Sequence, residues 1–251
     1  MSTLLASIPA WDGQQRAEHL FGHYVGAKET PATLTASRNF LGSVITRQRL
    51  PGAPITLTFC LTETGKANVQ PTRFFDALLP KDARNSWPVK IGKTDAMERH
   101  TPNGLAVVRV DCTHGARRNI TDIRALADWL KRDRDMVRPN RVKIGVEQPR
   151  SFVPVVTAWW YSDAPDMRRL GHMPWVFLDT PNQTFEDLKR DAPQIWAEAF
   201  ARRWNNHLSI CELRDAWELY DRAIEKILAA RKADGQIRDM AQSQGKTYAR
   251  Y

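Results

Sequence analysis

A chain of 251 residues and 28.7 kDa, 42% hydrophobic and 26% charged, is long enough for one large folded domain and too apolar for a disordered one. Lys and Arg number 37 against 28 Asp and Glu, giving a formal charge of +9 and a pI of about 9.7, so the composition favours a polyanionic partner. No run of about 18 apolar residues exists, which excludes a spanning helix, and the first residues lack the basic start of a secretion signal.

Residues 13–25 read as a first helix, with Ala17, Leu20, Phe21 and Tyr24 at helical spacing, Asp12 as cap and Gly26 as stop. Thr30-Pro31 reads as a break, and residues 33–49 as a loop leading to a weak strand near Ser43–Arg47. Ile55–Thr62 alternates apolar and polar side chains strictly, which predicts a half-buried, antiparallel strand. Residues 63–104 read as an inserted lobe, with a helix at Thr72–Leu79 followed by a polar, basic connection.

Leu105–Cys112 is predicted as a strand, Thr113–Arg118 as a basic turn, and Ile120–Arg134 as an amphipathic helix before Pro139. Strands follow at Arg141–Glu147, Phe152–Tyr161 and Pro174–Leu178. The remainder reads as two long helices, the first interrupted at Pro193, and a polar tail from Ala233. This order gives an α+β class: a ferredoxin-like (RRM-type) antiparallel sheet core with a basic insertion and C-terminal helices. Residues 1–180 would form the α+β nucleic-acid-binding domain, with the insertion at 63–104, and residues 181–251 a C-terminal helical region.

The positive charge is localised. Residues 61–150 hold 18 basic and 11 acidic side chains and so carry +7 of the +9. Arg outnumbers Lys 26 to 11, and the planar guanidinium fork suits phosphate oxygens and base faces better than an ammonium does. The RNA-binding candidates are therefore Arg47 and Arg49, then Arg84, Lys90 and Lys93 in the insertion. Arg117 and Arg118 beside Gly115 could hold a phosphate between guanidiniums and backbone amides. Arg141 and Lys143 would lie about 7 Å apart on one strand face and could track successive phosphates.

His19, His23, Tyr24, Arg38, Arg47 and Arg49 read as a cluster near the N-terminus. RNA cleavage without a metal needs only the 2′-hydroxyl, a proton acceptor and cations that hold the charge developing on phosphorus. His23 and Arg38 are the catalytic candidates for that chemistry. His19 and His23 have helix-face spacing, but no intervening Glu and no further ligands nearby, so no metal site is expected. Cys60, Cys112 and Cys211 form no C-x-x-C pair or disulfide framework, which fits a reducing cytosol. There is no Gly-x-Gly-x-x-Gly, no Walker loop and no Gly-x-Ser-x-Gly, so no cofactor is expected and ordinary hydrolases fall away. Six tryptophans (159, 160, 175, 196, 204 and 217) sit at core-compatible positions, leaving Trp87 in the basic insertion as the stacking candidate.

The strands around Ile55–Thr62, Leu105–Cys112 and Arg141–Glu147, with an Arg-rich insertion and no metal motif, resemble the CRISPR-associated repeat-binding proteins. Among these the chain is most similar to the small crRNA-processing endoribonucleases, including those of minimal type IV systems. The resemblance implies binding of a CRISPR repeat hairpin RNA, metal-independent cleavage, and retention of the product with protein subunits of a cytoplasmic effector complex. The competing readings are a plasmid or phage DNA-binding protein of replication or regulation, placing Ile120–Arg134 against a groove, and an RNA-binding subunit without chemistry.

Overall fold

The computed structural model describes residues 3–55, 57–63, 71–85, 89–90, 104–111, 128–137, 145–159, 175–179, 185–204 and 229. Its first element is a short helix, α1 (Thr3–Ala6). The predicted helix over 13–25 is instead one 3-10 turn (Ala17–His19) followed by a π-type turn (Leu20–Tyr24). Ala17, Leu20, Phe21 and Tyr24 are buried together all the same. Gly26, at φ +74°, ends the segment in a conformation that favours glycine. Asp12 is not the cap: it accepts from the Gln14 amide at 3.0 Å and pairs with Arg16 at 2.9 Å.

Residues expected to form a loop and weak strand are a 19-residue helix, α2 (Pro31–Arg49). Its start is written in Thr30-Pro31. The Thr30 hydroxyl accepts from the Thr33 amide at 3.2 Å, the Thr33 hydroxyl accepts from the Thr30 amide at 2.7 Å, and Pro31 occupies a first-turn position that needs no donor. The β-branched and hydroxyl side chains that argue against a helix are overruled by burial. Ala36, Phe40, Leu41, Val44 and Ile45 are buried, and so are Thr33, Thr35, Ser37, Asn39 and Ser43. Ser37 shows how the polar ones are satisfied: its hydroxyl donates to Thr33 O at 3.0 Å and accepts from the Phe21 amide at 3.2 Å.

Five strands make one sheet: β1 (Thr58–Glu63), β2 (Val89–Lys90), β3 (Val107–Asp111), β6 (Val153–Trp159) and β7 (Trp175–Asp179). Their spatial order is β2-β3-β6-β1-β7, and every pairing is parallel. The antiparallel pairing expected of a ferredoxin-like core is therefore not what these strands make. β3 and β6 show why parallel pairing suits them. Val107, Val153 and Val155 join the helix-packed core, while Val108, Val110 and Val156, at alternating positions, are equally buried. In β1 the polar alternates are Thr and Cys, small residues that a two-sided strand also tolerates, so period two did not discriminate there.

The stretch 63–104 contributes to this sheet in its described part. Helix α3 (Pro71–Leu78) packs Phe74 and Phe75 into the core, Arg84 bridges to Val107 in parallel fashion, and β2 is the edge strand. Phe21, Phe40, Phe59 and Phe74 form the aromatic centre, with Phe40 and Phe59 edge-on at 5.1 Å. Helix α4 (Glu186–Ala201) covers it through Leu188, Ile195, Trp196 and Ala199, and Trp196 Nε1 donates to Leu78 O at 2.9 Å. It runs straight through Pro193, the predicted break, because that residue lies on the exposed face, where water can serve the carbonyl left without a donor.

Between β3 and β6 the chain makes a second, two-stranded sheet, the antiparallel hairpin β4 (Arg134–Val137) and β5 (Val146–Pro149). The helix predicted to reach Arg134 is helical over its described residues 128–131 and has ended by Arg132. The sequence Lys131-Arg-Asp-Arg-Asp135 has no apolar residue to hold a helical stripe. Val146 and Glu147, predicted in a strand that tracks phosphates, belong to β5 of this hairpin; Arg141 and Lys143 lie outside the described residues. So do residues 205–228, which hold the end of the first predicted C-terminal helix and the second one from Ser209 to Leu228. Among the described residues no helix is long and apolar enough to cross a membrane.

Candidate functional site

The hairpin is fixed at its root by a buried ionic cluster. Arg150, 1% exposed, donates from Nε to Asp135 Oδ2 at 2.9 Å and from Nη2 to Asp135 Oδ1 at 2.5 Å. Its third nitrogen, Nη1, donates to Trp129 O at 2.5 Å, and the guanidinium lies over the Trp129 ring at 4.3 Å. The Arg150 amide donates to Asp133 O at 2.8 Å and the Gly52 amide to Arg150 O at 2.9 Å, so α2, residues 128–133 and β5 converge here. Gly52, at φ +86°, leaves room that a Cβ would fill to 3.2 Å from the Pro149 side chain.

Arg47, predicted to grip RNA, belongs to this cluster and not to the surface. It is wholly buried and donates to Ala53 O at 2.9 Å, Phe152 O at 2.7 Å and Arg132 O at 3.4 Å. Burial, aided by the Arg150 charge, pushes it down to about 10 against the pull of Asp133 and Asp135. Gln48, one residue on, donates to Leu105 O at 2.8 Å and Ser151 O at 2.7 Å. The end of α2 thus ties down the starts of β3 and β6. The signal was available in the sequence as an Arg and a Gln in the last turn of a helix, but only once α2 is read as a helix.

The other candidates divide sharply. Arg49 is exposed with its guanidinium 4.2 Å from the Phe200 ring centre. Arg84 is neutralised by Asp76 at 2.7 Å and only 14% of its side chain is exposed, which leaves little to offer a phosphate. Lys90 lies in edge strand β2; Lys93, Arg117, Arg118 and Trp87 lie outside the described residues. At the N-terminus, His23 is exposed and edge-on to Tyr24 at 4.7 Å, whereas Arg38 bonds Thr35 at 3.1 Å and pairs with Glu18 at 3.4 Å. His19 Nδ1 meets Glu29 Oε2 at 3.0 Å. No group of three or more potential metal ligands exists among the described residues.

A second location follows from topology. In an open parallel sheet, ligands bind beyond the carboxyl ends of the strands where the order reverses, and here the first strand is interior, between β6 and β7. At that edge Lys90 stands beside Asp111 in register, Glu63 beside Trp159, and Thr62 beside Asp179. The chain leaves β1 into Thr64–Gln70 and leaves β3 into Cys112–Arg118, the segment of the predicted phosphate contact.

Fold and site together define a parallel-sheet domain with its first strand interior and an antiparallel hairpin inserted before the third interior strand, β6. Over residues 5–227 the sequence matches the virulence-associated protein E-like domain, and the chain belongs to this VapE-like family. Solved structures of similar fold include apo forms of the NrS-1 C-terminal region. One has 8% sequence identity and a TM-score of 0.53, covering 88% of this chain and 54% of that one; another has 10% and 0.50, covering 87% and 54%. At these identities the likeness is one of fold alone, and the chain spans about half the length of those structures. No curated protein matches the sequence.

The family overturns the resemblance drawn from composition and strand order. The chain is not a CRISPR-associated repeat-binding protein, and the reading of it as a crRNA-processing, metal-independent endoribonuclease falls with that. Basic charge and short apolar strands are shared by many nucleic-acid proteins, and neither reports the order in which the strands pair.

Proposed function

We propose that the chain is a DNA-binding domain of a phage- or plasmid-type replication protein. Membership in the VapE-like family over residues 5–227 is the observation that carries this reading, which revives the alternative set beside the ribonuclease. The net charge of +9 and its concentration in residues 61–150 support a polyanionic partner. The parallel sheet offers a further argument about chemistry. A phosphate-binding loop joins a strand to a helix through Gly-x-x-x-x-Gly-Lys followed by Ser or Thr. Here Thr64–Gln70 joins interior strand β1 to α3 and contains Gly65-Lys66, but Ala67 follows and Cys60 stands where the first Gly would be. The hydroxyl that would hold a magnesium ion at that place is missing, so this domain grips nucleic acid without turning over a nucleoside triphosphate there.

The test is a side-by-side incubation of the purified chain with single-stranded DNA, duplex DNA and a hairpin RNA, with and without EDTA. DNA is retained and the RNA stays intact in both. Chelator-resistant cutting of the RNA, or binding confined to RNA, would overturn the proposal.

A further inference from the structure

We propose that the face where the ends of α2 and α4 meet the segment around Trp11 is a docking site for an acidic peptide with an apolar anchor. The inference stands apart from the DNA-binding reading. Arg49, the last residue of α2, lays its guanidinium 4.2 Å from the Phe200 ring centre. Just past α4, Arg202 lies over two indoles, 5.3 Å from the centre of Trp11 and 5.9 Å from that of Trp204. Phe200 and Trp204 pack against the core from outside, and all three rings are half-buried. Trp11 is fixed as well: its Nε1 donates to Gln14 O at 2.9 Å. Gln194 of α4 holds the residues on either side of it, accepting from the Asp12 amide at 2.9 Å and donating to Ala10 O at 3.2 Å. The platform is preformed, so a partner need not order it.

Two of its cations are uncommitted. Arg16 is paired with Asp12 at 2.9 Å and Arg202 with the buried Glu198 at 3.0 Å, whereas Arg49 and Arg203 are exposed and have no acid partner among the described residues. Both border Phe200, since the Arg203 amide donates to Phe200 O at 3.1 Å. Leu50, next to Arg49, is 65% exposed, the barest large apolar side chain among the described residues. Trp and Arg dominate protein-binding hot spots, and a guanidinium stacked on a ring keeps its donor fork for a carboxylate with less freedom to lose. A phosphodiester chain fits this face less well. Two free cations fall short of the roughly six or more contacts that hold DNA. Each ring already has a guanidinium against it, so none is a bare platform for a base. Carboxylates beside an apolar side chain match Arg49, Arg203 and Leu50 instead.

The experiment is an anisotropy titration of the full chain against a fluorescein-labelled peptide of alternating Asp and Leu, and against the same peptide with Lys for Asp. The wild type should bind the acidic peptide with a Kd on the order of 10 μM and the basic one far more weakly. Arg49→Glu with Arg203→Glu should weaken that binding at least about tenfold, and Leu50→Ala about threefold. A control, Lys28→Glu with Lys81→Glu, reverses the same charge at exposed sites elsewhere and should change it less than about twofold. A wild-type chain that binds neither peptide or both alike, or equal losses in the face variant and the control, overturns the docking site. Leu50→Ala, at a bare position, keeps the test decisive if the charge reversal disturbs folding, and unaltered affinity in it also overturns the site. A labelled DNA strand run alongside that loses as much as the peptide in the face variant gives the face to nucleic acid and overturns the peptide. Failure of that strand to bind the wild type bears on the DNA-binding reading alone.

Discussion

Arg47 and Arg150 lie buried close enough for the charge of one to weaken the other, and Asp135 takes a double hydrogen bond from Arg150 alone. Arg47 is satisfied by backbone carbonyls instead, from three different segments of chain. The arrangement spends two cations on joining α2, the hairpin root and the start of β6. Neither is left to face a ligand.

Removing Asp135 should therefore be far more damaging than removing an exposed acid. Asp135→Ala leaves Arg150 buried without its carboxylate, and a loss of about 3–5 kcal/mol in urea unfolding is expected. Replacing the pair together, Asp135→Leu with Arg150→Met, should recover a large part of that loss, because no uncompensated charge remains. Equal instability in the single and double variants would show that packing, and not charge pairing, holds the root.

Glu198 makes an equally specific stability prediction. Its carboxylate is fully buried and accepts from the Arg16 and Ala17 amides at 2.6 and 2.8 Å, closing the open end of the 3-10 turn. Glu198→Ala would strand the buried Ala17 amide and the part-buried Arg16 amide and should cost about 2–4 kcal/mol in the same assay. A cost below about 1 kcal/mol would mean that the N-terminal segment is not fastened to α4 through this residue.

The pH dependence has a defined sign. The Arg190 guanidinium first, and the Tyr24 hydroxyl at 3.0 Å after it, hold the Asp191 carboxyl below its usual range. A carboxyl depressed in the folded state contributes stability above its unfolded value, and that contribution is lost as pH falls through the folded one. Melting temperature should accordingly drop below about pH 4, and Asp191→Asn should flatten part of that descent. An unchanged acid limb in the variant would remove Asp191 from the account.

Nucleotide turnover supplies a fourth outcome. With Ala67 after Lys66, steady-state ATP hydrolysis in the presence of magnesium and DNA should stay at background, and Lys66→Ala should leave DNA affinity within about twofold. Hydrolysis that Lys66→Ala abolishes would contradict the reading of the β1–α3 connection.

Parts of this were legible in the residues. The strand at 55–62 announces itself by strict alternation and those at 105–112 and 152–161 by apolar runs, and Pro71 and Pro80 bracket α3 in the sequence. α2 was not legible by periodicity, because Thr, Ser and Asn are buried on it beside the apolar residues and blur its stripe; its cap, Thr30-Pro31, was the surviving clue. Pairing direction was ambiguous in β1, where Cys60 and the threonines fit either arrangement, whereas the near-continuous apolar runs of β3 and β6 carried the sign of parallel pairing. The site suffered most from counting cations as surface charge: Arg47 and Arg150 are among the largest buried side chains, and Arg84 is held by Asp76.

The central claim is that this VapE-like domain holds DNA through its phosphates, and the salt dependence of DNA affinity tests it most directly. Equilibrium anisotropy from about 50 to 300 mM salt should give a straight fall of log K with log salt, its slope reporting several phosphate contacts, for DNA and without cleavage of a competing RNA hairpin. A slope near zero, or no DNA binding at the lowest salt, would contradict the account.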